Sequence, residues 1–333
     1  MSESIDGKKV LVTGADGFIG SHLVDLLVRS GASVRGLVYY NSWNERGWLR
    51  DLDTCVISQI EQVAGDIRDA DLIRKSAAGC EYVFHLSSLI AIPYSYVAPR
   101  SYLDTNAGGA LNILQACREN PNLRRLVHVS TSEVYGTAQT VPIAESHPLV
   151  GQSPYSASKI AADKLAESFH LSFGLPVVTA RPFNTYGPRQ TARAVIPTIA
   201  SQLLAGSKQL KLGSLSPTRD FNYVVDTARG MLALALCKQA EGKVVNIGSG
   251  SEWSIAQTVD LLCELTGKRA EIVTEAARIR PENSEVNRLL ADNRLISELT
   301  GWRSEVSFRD GLAQTVKWIK RNLRYFDVGE YSR

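Results

Sequence analysis

Three glycines in Val10-Leu-Val-Thr-Gly14-Ala-Asp-Gly17-Phe-Ile-Gly20 stand at G-x-x-G-x-x-G spacing between a Val/Leu run and a helix-like stretch. Glycine at such a junction lets the backbone turn tightly and approach a phosphate seated at the positive end of the helix. In isolation the match is as readily a plain turn. With a strand before it, a helix behind it and a β-α-β pattern beyond, it predicts a dinucleotide site whose first turn holds Phe18 and Ile19. Further on, Tyr155-Ser-Ala-Ser-Lys159 sets a phenol and an ammonium on one face of a helix expected from about Ser153. A phenol of pKa about 10 is a poor base at neutral pH, but a neighbouring ammonium and an oxidised nicotinamide both favour phenolate. Ser130-Thr131-Ser132-Glu133 follows another apolar run. A carboxylate beside a hydride-transfer pair has little use in simple alcohol oxidation. It is needed when a proton must leave a carbon next to a new carbonyl.

These groups require a scaffold, and the first half of the chain supplies the pattern for one. Apolar runs at 10–13, 33–38, 62–64, 82–86, 126–130 and 177–181 read as buried strands, with helical periodicity at 18–30, 69–78, 105–119 and 153–173. Strands buried on both faces and joined by helical crossovers predict an α/β fold with a doubly wound, Rossmann-type parallel sheet. After about Pro188 the pattern is mixed, with helices expected at 194–205, 226–239, 255–266 and 308–322. The expected organisation is a nucleotide-binding domain over 1–188 and a smaller mixed α/β substrate lobe over 189–333, with interleaved boundaries.

An NAD site usually carries an acid about 20 residues past the glycines, on the ribose 2′-OH. Here the second strand ends Val38-Tyr39-Tyr40-Asn41-Ser42 without one, and Arg35 and Arg46 are near in sequence. This favours NADP over NAD, with Tyr39, Asn41 and Ser42 around the ribose. Asp66 and Ile67 suit the adenine edge, Asp66 accepting from the exocyclic amine. Leu86, Ser87 and Pro182, at the ends of the fourth and sixth strands, complete the cofactor set.

The combined pattern resembles the extended short-chain dehydrogenase/reductases over nearly the whole chain. Arg181-Pro-Phe-Asn184-Thr-Tyr-Gly-Pro-Arg189 and Arg219-Asp-Phe-Asn-Tyr223-Val-Val-Asp226 look like segments by which that family holds nucleotide-sugars. In its sugar 4-epimerases the place of Glu133 is normally a small residue, so Glu133 points to a nucleotide-sugar 4,6-dehydratase. The resemblance implies that Tyr155 takes the C4 hydroxyl proton as hydride leaves, with Thr131 bonded to that hydroxyl. Glu133 then takes the C5 proton, water leaves from C6 and hydride returns there. The cycle is redox-neutral, so the cofactor stays bound. Ser132 departs from the Asp usual in dTDP-glucose dehydratases. Thr-Ser-Glu instead resembles GDP-mannose dehydratases, whose Glu serves as base and acid, and also UDP-glucuronate decarboxylases. Those decarboxylases typically follow the Tyr with Asp-Glu-Gly, where this chain has Ser156-Ala157-Ser158. Decarboxylase, 4-epimerase and a non-enzymatic NADP-sensing regulator stay as alternatives.

Residues 40–42, 89–96 and 278–286 resemble the dehydratases of bacterial legionaminic acid synthesis, which act on GDP-N-acetylglucosamine or its UDP counterpart. Arg189, Arg219 and Arg280 are candidate clamps for the diphosphate, Glu285 a partner for one of them, and Ser88, Tyr94 and Asn184 further substrate contacts. The family also implies a homodimer through 105–119 and 153–173.

Composition narrows the partners. Of 333 residues 44% are hydrophobic and 21% charged, and 37 basic against 34 acidic side chains leave +3, too weak a field for a nucleic-acid partner. No apolar run approaches the roughly 18 residues of a membrane span, and the start shows no secretory pattern. Five scattered cysteines form neither a disulfide framework nor a metal cluster. A cytoplasmic, reduced, metal-free enzyme is expected. His85 and His128 read as core histidines, and no Ser/His/Asp set is arranged with them or with His22. The aromatic stretch 43–48 reads as a loop packing on the cofactor or a partner, and 317–321 as the solvated basic face of a terminal helix.

Overall fold

The protein is described here by a computed structural model covering residues 3–279 and 281–328. The Val/Leu runs become β1 (Lys9–Thr13), β2 (Ser33–Tyr39), β3 (Ile60–Gly65), β4 (Tyr82–His85), β5 (Arg125–Val129) and β6 (Val177–Pro182). The second half adds β7 (Asn184–Tyr186), β8 (Gln209–Leu212), β9 (Thr218–Tyr223), β10 (Val244–Ile247), β11 (Glu252–Ser254), β12 (Glu271–Thr274) and β13 (Arg288–Leu289). One seven-stranded sheet runs β3-β2-β1-β4-β5-β6-β10, with every neighbouring pair parallel. The last of these strands comes from far beyond Pro188, so the sheet is completed by the second half of the chain. The strand order reverses between β1 and β4, and in open parallel sheets ligands bind in the crevice at such a point. Register puts Thr13 opposite Leu37 on one side and His85 on the other, at the mouth of that crevice.

Alternation along β1 divides the core. Val10 and Val12 face a layer made by α1 (Phe18–Arg29) and the later helix Val224–Leu236. Leu11 faces α2 (Ala70–Ala77), α3 (Gly109–Glu119) and α4 (Pro154–Phe173). With helices on both faces, the sheet is the doubly wound Rossmann type that the sequence predicts. The other helices needed here are α5 (Val195–Leu204), α6 (Val224–Leu236), α7 (Ile255–Thr266) and α8 (Phe308–Arg321). Tyr186, Phe221 and Leu210 share a second core with α5, α7 and α8.

Trp48 departs from expectation. It packs edge-on against Trp318 of α8 and against Tyr325, at centroid distances of 5.2 and 5.6 Å, and its backbone N–H donates to Asp16 O at 2.9 Å. Residues 47–51 therefore join the glycine turn to the chain's own terminal helix, while Trp43 is 86% exposed. Among the described residues no helix is long and apolar enough to cross a membrane.

Candidate active site

The glycine turn is built as a cradle. Gly14 has φ +67°, and a Cβ there would sit 3.1 Å from Ser87 N and 3.2 Å from Leu86 C. A Cβ on Gly20 would come 2.0 Å from Gly14 O. Gly17 caps α1 with no side-chain acceptor, so the helix start is left to an external anion, with Phe18 and Ile19 in its first turn. The cradle fits a dinucleotide pyrophosphate. Thr13 Oγ1 accepts from the N–H groups of Leu86 and Ser87, each at 3.1 Å, which draws the β4 exit loop alongside.

At the adenosine end the structure corrects the sequence reading in two places. Arg35 does not face the end of β2: its Nε pairs with Glu61 at 2.9 Å and its Nη1 donates to Ser76 O at 2.7 Å, on the α2 side. And an acid does stand there. Asp16, from the glycine turn, accepts from Tyr39 N at 3.3 Å, and burial pushes its carboxyl above the ordinary range. This carboxylate comes from the loop before α1 and not from the end of β2, where an NAD site usually carries it. Asn41 turns on its own segment, accepting from Glu45 N at 2.9 Å and Trp43 N at 3.2 Å, with Ser42 exposed beside it. Asp66 is gripped by Arg68, whose Nε lies 3.0 Å from Oδ1, and this holds the carboxyl below its usual range. Ile67 is buried against Gly109, and Pro182 closes β6.

The reactive side chains meet at the ends of β5 and α4. Ser153 starts α4 with a reciprocal cap, its Oγ accepting from Ser156 N at 3.1 Å while Ser153 N donates to Ser156 Oγ at 2.9 Å. Pro154 follows at the first helical position, so Tyr155 sits in the first turn and Lys159 one turn later. Both are buried. Lys159 Nζ donates to Val129 O at 2.7 Å and to Ser88 Oγ at 3.1 Å. Thr131 is the N-cap of a 3-10 turn, Ser132–Tyr135, and its Oγ1 accepts from Glu133 N at 3.2 Å. Burial pushes the Tyr155 phenol above the ordinary range, a hydrogen bond from Thr131 opposes this, and the charge of Glu133 adds to the rise. Burial also pulls Lys159 down to about 8. Ser132 is buried at the first position of the turn. Thr131, Glu133, Tyr155, Lys159 and Ser88 are thus brought together.

Asn106 and Tyr102 join these residues without a signal in the sequence, beside the expected Tyr94. Asn106 lies in a π-type turn, Leu103–Gly108, ahead of α3. It donates to Leu89 O at 3.0 Å and to Ser158 Oγ at 2.9 Å, fixing the β4 exit loop to α4. Tyr102 stands edge-on to Tyr155, centroids 6.2 Å apart, and Tyr94, 42% exposed, lies 6.2 Å beyond Tyr102. Single aromatic and amide residues of this kind leave no spacing signature.

On the opposite wall, Asn184 Oδ1 is buried with no partner among the described residues, as suits a contact completed by a ligand. Arg219 is buried and lies 3.5 Å from Glu285, while Thr137 Oγ1 donates to Glu285 O at 3.1 Å. Ser284 joins the same strap, donating to Gln152 O at 2.7 Å and lying 2.5 Å from Tyr96 Oη. Arg189 belongs elsewhere. With φ +70° it donates to Ser21 Oγ of α1 at 3.2 Å, beside His22, so a joint clamp with Arg219 is not what these contacts build. Arg280 lies outside the described residues.

The chain is similar to known proteins over nearly its whole length. A family model described as GDP-mannose 4,6 dehydratase matches residues 11–315. A dTDP-glucose 4,6-dehydratase from an Actinoplanes species is 35% identical over 323 residues, covering 96% of this chain and 99% of the relative. Among solved structures, DesIV, a dTDP-glucose 4,6-dehydratase from Streptomyces venezuelae with NAD bound, superposes with TM-score 0.83 at 30% identity, covering 96% of this chain and 99% of that one. The UDP-glucuronic acid 4-epimerase of Bacillus cereus, in complex with UDP-glucuronic acid and NAD, gives TM-score 0.85 at 29% identity, covering 94% and 99%.

Proposed function

This chain belongs to the GDP-mannose 4,6-dehydratase family, and on that premise we propose that it dehydrates an N-acetylglucosamine carried on GDP or UDP to the 4-keto-6-deoxy sugar. The observation that carries the reaction type is Glu133, close enough to Tyr155 to raise its pKa, with Thr131 hydrogen-bonded to that phenol. The Gly14–Gly20 cradle would hold a nicotinamide dinucleotide, which when bound would supply the acceptor, and later the donor, of one hydride. Tyr155 takes the C4 hydroxyl proton, Thr131 orients that hydroxyl, and the Lys159 ammonium stabilises the phenolate. Once C4 is a ketone, the C5–H is acidic and Glu133 removes its proton. The resulting carboxylic acid then gives that proton to the departing C6 hydroxyl, so water leaves without a second acid at Ser132. As hydride is returned to C6, C5 takes a proton from solvent through Glu133, and Tyr155 releases to solvent the proton it took from the C4 hydroxyl, which balances the cycle.

The likeness of residues 40–42, 89–96 and 278–286 to the legionaminic acid dehydratases supports the acetamido sugar. Asn184, Arg219 and Glu285 line the wall offered to the nucleotide diphosphate, and Tyr94 the rim. The cofactor proposed is NAD, tightly held, in place of the NADP expected from sequence. Asp16 beside the end of β2 repels a 2′-phosphate, and Arg35 is committed to Glu61 and Ser76. Pairing of two chains through α3 and α4 is proposed as well, with Leu171 and Phe173 exposed on the latter.

Glu133→Gln tests the reaction. Dehydration should fall by about 100-fold or more, and the C5 hydrogen should stop exchanging with solvent, while nicotinamide absorbance still reports C4 oxidation. Undiminished dehydration by this variant refutes the reading.

A further inference from the structure

Behind the reactive pair, α4 carries a buried carboxylate, Asp163, one turn beyond Lys159. Its Oδ1 accepts from His128 Nε2 at 3.2 Å, and its Oδ2 accepts from Arg181 Nε and Nη2 at 3.1 and 2.9 Å. Arg181 is tied in turn to Tyr135 Oη at 3.0 Å, and Tyr135 to Asn246 at 2.7 Å. The histidine side of the carboxylate is equally fixed. Both acceptor positions of Thr13 Oγ1 are filled by the N–H groups of Leu86 and Ser87, so its hydroxyl proton goes to His85 Nδ1 at 2.9 Å. His85 therefore carries its own proton on Nε2, and its ring stacks on His128 at 5.7 Å. Burial draws both imidazoles below their ordinary range, and at His128 the Asp163 carboxylate opposes that fall.

The groups around Asp163 are then Lys159 and Tyr155 on its own helix, His128 from β5 with His85 of β4 behind it, Arg181 from β6 and Tyr135 from the 3-10 turn. Two cations share one carboxylate. The two hydrogen bonds made by Lys159 Nζ, to Val129 O and Ser88 Oγ, fix where the nitrogen sits. A neutral amine makes the same two bonds, so they do not select the ammonium.

We propose that Asp163 is a positioning residue for the reaction: its carboxylate, pinned by His128 and Arg181, is the buried counter-charge that keeps Lys159 an ammonium beside Tyr155. The proposal rests on the reading of Tyr155 and Lys159 as the hydride-transfer pair. Burial draws Lys159 down, and the Asp163 charge is what opposes that fall. Without it, the lysine loses its proton at lower pH, and the phenolate loses its support there.

The test is Asp163→Asn, read in two ways. Lysine labelled with 13C at Cε gives the Lys159 titration midpoint by NMR, with Lys159→Met as the assignment control. The pH profile of kcat gives the alkaline limb. The expected result is a midpoint lower by about one pH unit or more, with the alkaline limb moving down in parallel and KM unchanged. An unchanged midpoint overturns the proposal. A lowered midpoint with an unmoved limb upholds the Asp163–Lys159 coupling and refutes the assigned role of the pair. If the single variant does not fold, Asp163→Asn combined with Arg181→Gln avoids leaving the Arg181 guanidinium buried without its carboxylate, and a lowered midpoint is again expected; an unchanged one overturns the proposal.

Discussion

Asp220 offers the sharpest perturbation of the walls that enclose the site. It lies in β9, fully buried, next to Arg219. One carboxylate oxygen accepts from Ser249 N at 2.8 Å and Ser249 Oγ at 2.6 Å; the other accepts from Gly250 N at 2.9 Å and Ala291 N at 3.1 Å. Ser249 and Gly250 follow β10, the edge strand of the main sheet, so a single side chain joins the sheet to the second lobe. Burial pushes its carboxyl up, and these donors oppose the shift. Asp220→Asn keeps the shape and replaces one oxygen with an NH2 group. The amide turns its NH2 toward Ser249, whose Oγ can reverse and accept, so one donor, Ser249 N, loses its acceptor and faces another donor. A buried group left unpaired costs about 1–3 kcal/mol, so about 2 kcal/mol is expected. For a chain of 333 residues the unfolding entropy is about 0.7 kcal/mol/K, which converts this to a Tm lower by about 3 °C. Calorimetry reads the shift, and Glu264→Gln, which breaks the exposed pair with Arg309, is the control expected to move stability by less than about 0.5 kcal/mol. An Asp220→Asn protein within about 1 °C of the parent would refute the reasoning.

Two further outcomes are expected. Gly20→Ala places a methyl group 2.0 Å from Gly14 O, so the turn must open; affinity for the dinucleotide, measured by calorimetric titration, should fall about tenfold or more, and undiminished affinity would show that the cradle is not needed. His22 donates from Nε2 to Pro188 O at 3.0 Å, and burial with the neighbouring Arg189 lowers its pKa from 6.5 to about 3. The unfolded chain binds the extra proton in that interval, so stability drops as pH falls from 6.5 toward 3. His22→Asn should flatten this slope in urea unfolding series, and an equally steep slope in the variant would contradict the assignment.

The parts of the site that could be read from sequence are those written locally. Tyr155 and Lys159 share one helix turn, Thr131 and Glu133 one 3-10 turn, and the three glycines one loop. Most strands of the first half are legible because apolar side chains fill them on both faces; β3, Ile-Glu-Gln-Val-Ala-Gly, is the weakest of them, with Glu61 exposed. β10 was not: it is four residues long and contains Asn246, which leaves no usable periodicity. The same holds for β9, whose buried Arg219, Asp220 and Asn222 read as polar loop. Asp163 escaped notice because its partners His128 and Arg181 are 35 and 18 residues away and meet it only through the order of β5 and β6 in the sheet. Arg189 is a related case. Its charge was visible, but the left-handed backbone that carries it to α1 was not. Asp16 was visible as a residue, yet its reach to Tyr39 depends on the fold of the glycine turn.

The central claim is the elimination of water, and product mass tests it most directly. The purified protein, supplied with NAD, is incubated separately with GDP-N-acetylglucosamine, UDP-N-acetylglucosamine and UDP-glucuronate, and each product is weighed by mass spectrometry. One of the acetamido sugars should lose the mass of one water, which would also name the nucleotide. Loss of carbon dioxide from the glucuronate, or an epimer of unchanged mass, would contradict the account and leave the proton-removing role of Glu133 without support.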